Sequence, residues 1–115
     1  MTSEQVQAVV KDYSTAGLDP IDVAICNFAA KVTLHAYKVT PEDVLALRAH
    51  GLSDAEVFDI AIAAGFRAMY SKVLDAVGAE PDPEYSQLDP DLLNSLIVGR
   101  PFPGPSLDAK SPHAA

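Results

Sequence analysis

VTPEDVLALRAHGLSDAEVFDI, residues 39–60, holds two helix starts and one helix stop. Thr40 stands before Pro41 and Asp43: a residue able to cap free amides, then a ring that occupies the first helical turn without losing a needed donor. Ser53 repeats the arrangement with Glu56 three positions on, the SDAE form of a capping box. Gly51 lies between them and ends the first helix, since glycine takes up the left-handed conformation of a helix end without steric cost. Val44, Leu45 and Leu47 give this short helix an apolar surface. A helix of about three turns is marginal alone in water and needs a neighbour.

The next segment supplies one. A helix is predicted over 54–77, where Val57, Ile60, Ala61, Ala64, Ala68 and Val73 recur near helical spacing and Ile62, Phe66 and Met69 widen the stripe. So broad an apolar circumference implies contacts on more than one side. Association into an oligomer is therefore expected.

Upstream, Val6, Val9, Val10 and Tyr13 mark a first helix over 4–16, with Gly17 permitting its end. In LDPIDVAICNFAAKV, Asp19 can cap a second helix whose first turn holds Pro20. Asp22 suits the positive end of that helix, and Ile21, Ile25, Phe28 and Val32 carry its apolar stripe toward Lys38. Downstream of Gly78 the character changes. The last 37 residues contain seven of the nine prolines and no long periodic run. The expected division is a helical core over 1–78 and a Pro-rich C-terminal arm over 79–115. Asp89 and Pro90 open a short helix in the arm, over 90–97. Its Leu92, Leu93, Leu96 and Ile97 favour docking on the core or on a neighbouring subunit over exposure to water.

At 115 residues the chain fits one small all-α domain, and 49 % apolar residues without Trp favour close-packed helices over an aromatic ligand cage. Sixteen acidic residues against eight basic ones give a formal charge of -8, which opposes attraction to nucleic acid or to an anionic membrane. The two capped helices around Gly51 invite a helix-turn-helix reading. However, the second starts DAEVFDIAIAAGFR, acidic where a DNA-reading helix needs donors and cations. The start MTSEQVQAVVKD lacks the basic and apolar regions of a secretory signal, and VFDIAIAAGFRAMY is too short and too interrupted by charge for a bilayer span. A cytoplasmic location, with no nucleic acid and no membrane as partners, is the expectation.

No catalytic, cofactor-binding or metal-binding residue stands out. Cys26, the single cysteine, cannot form an intrachain disulfide, and beside Ile25, Phe28 and Ala29 it reads first as a small buried apolar side chain. A nucleophilic Cys26 would need a proton acceptor and a positive surrounding. Asp22, one turn away, brings a negative charge instead, Lys31 lies off their shared face, and His35 falls on the opposite side of the helix. His50 suits the negative end of the helix before Gly51, and His113 sits in the terminal SPHAA without a ligand spacing around it. Glu42, Asp43, Asp54, Glu56 and Asp59 cluster at helix starts, where capping and hydration account for them. Gly51 and Gly65 occur singly, so no phosphate cradle exists.

The run DYSTAGLDPIDVAICNFAAKVT, followed after a short spacer by VTPEDVLALRAHGLSDAEVFDIAIAAGFRAMYSKVLDAVG, resembles the C-terminal portion of peroxidase-related proteins of the AhpD-like and carboxymuconolactone decarboxylase superfamily. It covers residues 12–78 through the Gly-Leu-Asp-Pro, Ala-Lys-Val-Thr, Thr-Pro-Glu-Asp and Gly-Leu-Ser-Asp segments. The resemblance implies an all-helical AhpD-like bundle in half-length form. Redox-active relatives carry two cysteines two residues apart on an upstream helical portion, with carboxylate and histidine groups that manage protons. That portion is missing here, so no active-site residue carries over. The resemblance then implies a structural or assembly subunit that associates with itself or with a complementary catalytic partner. Two alternatives stand beside it: an alkylhydroperoxidase-like thiol enzyme using Cys26, and a protein-interaction module without activity.

Overall fold

The structure, a computed structural model, describes residues 1–99. Among them are five α-helices and two 3-10 segments, without a strand: α1 (Ser3–Asp12), α2 (Pro20–His35), α3 (Pro41–Ala49), α4 (Asp54–Val77) and α5 (Pro90–Leu96). The 3-10 segments are Ala36–Lys38 and Pro83–Gln87. The all-α class expected from the periodicities is what the chain adopts. No helix among the described residues is long and apolar enough to cross a membrane.

Local chemistry sets most helix ends. Ser53 Oγ accepts from the Glu56 amide at 3.1 Å and Glu56 Oε2 accepts from the Ser53 amide at 2.7 Å, the reciprocal box read from SDAE. Gly51, at φ 89°, and Gly78, at φ 73°, close α3 and α4 in the left-handed region. Asp89 Oδ1 accepts from the Asp91 and Leu92 amides, both at 3.1 Å, and so starts α5 at the expected place.

Three expectations shift. The first helix ends at Asp12, four residues before the predicted Ala16, because the Asp12 carboxylate accepts from the Ser14 amide at 2.9 Å and the Ser14 hydroxyl at 2.6 Å. Those bonds turn the chain into an Asx-type turn that competes with the next helical bond. The second helix stops at His35, and the last predicted turn, to Lys38, tightens into 3-10 geometry. Asp19 occupies the N-cap position of α2 but makes no capping hydrogen bond, so Pro20, with Asp22 in the first turn, carries the local start signal there. At the N-terminus, Thr2 and Gln5 form a capping box absent from the sequence reading, with Thr2 Oγ1 accepting from the Gln5 amide at 3.2 Å.

The core lies where α2, α3 and α4 meet. Phe28, Leu47 and Val57, one from each helix, are its buried centre, and Ala24, Ile25, Val32, Val44, Ile60 and Ala61 pack around them. Within α3, Val44 and Leu47 face this core while Leu45 points outward, 57 % exposed. Helix α1 packs on α5, so the two ends of the described chain meet each other. The Tyr13 hydroxyl also donates to Asn27 Oδ1 at 2.9 Å, tying the end of α1 to α2.

Candidate functional site

Helix α4 is the longest element, at 24 residues, and it has two apolar sides. One side carries Val57, Ile60 and Ala61, which join the core, followed by the half-buried Ala64 and Ala68. These side chains are mostly small, so the neighbouring helix α2 can approach closely. The other side carries Phe58, Ile62, Phe66, Met69, Val73 and Val77, all exposed. At 3.6 residues per turn the two sets are centred about 150° apart. Phe58 is 64 % exposed and Phe66 62 %, and Tyr70 stacks on Phe66 with ring centroids 6.2 Å apart at 12° between planes.

Here the sequence reading needs a correction. The spacing sets Val73 in one stripe with Val57, Ile60, Ala61, Ala64 and Ala68, whereas it stands 52 % exposed on the outer side. Phe58, Tyr70 and Val77 were overlooked as members of the same surface. The signal lies in the angle around the helix: at about 100° per residue Val73 falls roughly 160° from Val57, on the side of Phe58, Ile62 and Phe66.

Two hollows lie away from this face. The larger, of about 400 Å³, opens between the C-terminal half of α4 and the following segments, and Arg67, Leu74, Tyr85, Leu93 and Ile97 contribute to its wall. A second, of about 300 Å³, lies between α2 and α3 over Phe28 and Leu47. At its rim Lys31 Nζ donates to Asp43 Oδ2 at 2.6 Å. Asp43 also accepts from the Thr40 amide at 2.8 Å and the Thr40 hydroxyl at 3.2 Å. The Lys31 hydrogen bond, then the Thr40 amide, hold the Asp43 carboxyl below the usual aspartate range. Asp43 is therefore a tie between α2 and α3 as well as a helix-start residue. The sequence reading saw only the second role, because the contact with Lys31 spans a turn and a change of helix.

The residues weighed for chemistry do not converge. Cys26 is half-buried on α2. His35 ends α2 and meets Tyr37 edge to face, with centroids 6.1 Å apart. His50 is exposed at the end of α3, where its amide donates to the Leu47 carbonyl at 3.0 Å. His113 lies outside the described residues. Asp54 pairs with Arg48 at 3.4 Å across the α3–α4 turn, Glu56 caps α4, and Glu42 and Asp59 are exposed. Among the described residues, no group of three or more His, Cys, Asp or Glu side chains is placed to hold a metal ion. What the arrangement offers is a long apolar helix face rather than a set of reacting groups. Comparison with family models, characterised proteins and solved structures finds no match to this chain.

Proposed function

We propose that this chain is a non-catalytic assembly subunit of an AhpD-like, peroxidase-related system, working by association with protein through helix α4. The observation that supports the reading is the outer face of α4, six large apolar side chains in a row with none of the helix's own neighbours over them. Exposed apolar surface of this extent on a small chain marks an interaction site. The composition lends a second support. Disulfide exchange of the kind used by redox-active relatives needs two thiols, and Cys26 is the only one in the chain. In this reading a thiol pair, where the system uses one, belongs to another protein, and these helices contribute the frame beside it.

Purification of the native assembly, with intact-mass measurement and assays of peroxide and lactone turnover, tests the proposal. The expected result is a stoichiometric protein assembly and no turnover by the isolated chain. A native protein that is purely monomeric, with nothing co-isolating, overturns the reading. Peroxide turnover by the isolated chain that is lost in Cys26→Ala overturns it in favour of the thiol enzyme.

A further inference from the structure

We infer that the outer face of α4 is covered by the same face of a second copy of this chain, the two α4 helices packed antiparallel about a two-fold axis. The inference rests on the assembly reading above and names the partner.

Area is the first argument. Among the described residues, only Phe28, Leu47 and Val57 are buried. At their fractional exposures, the six outer side chains and Tyr70 present about 800 Å² to solvent, taking ordinary side-chain areas. Two such faces, wholly covered, would remove at most about 1,600 Å², within the range of a specific, stable interface. The remaining C-terminal residues, 100–115, contain only Phe102 and Leu107 as large apolar side chains, too few to cover this row.

Register is the second. A two-fold axis midway along the row sets Phe58 against Val77 of the other copy, Ile62 against Val73 and Phe66 against Met69. In each pair a bulky side chain meets a smaller or more flexible one, which lets the rows interdigitate. A parallel pair would set Phe58 on Phe58 and Phe66 on Phe66, ring on ring.

Charge is the third. Asp54, Glu56 and Asp59 stand at the start of α4 and Arg67 and Lys72 in its middle and second half, while Asp75, near its end, lies on the side that lines the larger hollow and not on the outer face. Parallel association brings six carboxylates together at one end. In the antiparallel pair each Asp59 lies roughly 25 Å along the axis from its counterpart, at 1.5 Å rise per residue. That exceeds the screening length of about 8 Å at physiological salt. Opposed helix dipoles favour the same orientation. The opposite side of α4 is already occupied by α2 and by the wall of the larger hollow, so the outer face is the side left for a partner.

Sedimentation equilibrium of the purified full chain, from submicromolar to about 100 µM, tests the stoichiometry. The expected species is two copies of the chain. Phe66→Ala should weaken the dimer at least about 30-fold, as truncation of a central interface side chain does. Circular dichroism should show that its helix content is kept, and Leu34→Ala, also exposed but off the row, should leave the dimer unchanged. For orientation, in a Cys26→Ala background, Ile62→Cys chains mixed with Val73→Cys chains should give the mixed disulfide on oxidation. A self-linked Ile62→Cys dimer overturns the antiparallel pair. A chain that stays monomeric alone yet is isolated natively with a different protein overturns the self-association and leaves the assembly reading standing. A monomer in both experiments overturns both.

Discussion

Leu47 and Leu45 share helix α3, two residues apart, with the same side chain in opposite surroundings: Leu47 is 1 % exposed and Leu45 57 %. Replacing each with alanine isolates burial from helix propensity. For Leu47→Ala the lost side-chain carbons are worth about 2.4 kcal/mol of transfer free energy at 0.8 kcal/mol per methylene. The cavity left between Phe28 and Val57 adds to this, and the expected cost is about 3 kcal/mol. Against a total stability of about 5–15 kcal/mol for a small domain, that is a large fraction. It corresponds to a fall in Tm of roughly 15 °C at this chain length. Leu45→Ala should cost under about 0.5 kcal/mol, since alanine is the better helix former and little area is lost. Urea unfolding followed by circular dichroism at 222 nm, at one fixed protein concentration to hold any association constant, measures both. Equal shifts for the two variants would refute the placement of the core at the junction of α2, α3 and α4.

Three further outcomes follow from the caps, the glycine and the ion pair. Ser53→Ala should cost about 1 kcal/mol in the same unfolding assay by removing the acceptor for the Glu56 amide, and Ser53→Asp should restore most of it. Gly51→Ala should also cost about 1 kcal/mol: an added Cβ meets nothing within 4 Å, so only the φ of 89° opposes it. Because the folded Asp43 carboxyl titrates below its unfolded value, its contribution is complete above about pH 3.9, the unfolded value, and is lost as pH falls through the lower folded one. Wild type and Asp43→Asn should therefore differ in stability near neutral pH and converge in acid, as urea midpoints across pH 2–7 would show. A constant difference across that range would exclude Asp43 titration as its source.

Much of the fold was legible along the chain because helix ends are local. The SDAE box and Gly78 delimit α4, and Asp89 with Pro90 starts α5, through bonds spanning two to five residues. Where a competing local bond existed the reading ran too far, as at Asp12, whose carboxylate turns the chain before the apolar pattern ends. At Asp19 the residue type suited a cap, yet the backbone at φ -61° and ψ 149° is reached without its side-chain bond. The candidate site was legible in part. Breadth of the apolar circumference on α4 implied contacts on more than one side, but approximate spacing did not divide Val73 from Ala64 and Ala68, which the accumulated angle around the helix does.

By itself, the sequence determined the all-α class, the start and end of α4, and the excess of apolar side chains that this helix carries. Each follows from chemistry within a few residues: a cap, a left-handed glycine, a recurring apolar position. Only the tertiary structure decided which side of α4 is covered. Helices α2 and α3 take the side of Val57, Ile60 and Ala61 and leave the row of Phe58, Ile62, Phe66 and Met69 in solvent. It likewise decided that Lys31 meets Asp43 and that α1 rests on α5. Such contacts join residues far apart in the chain, and only the path of the backbone between them sets the distance.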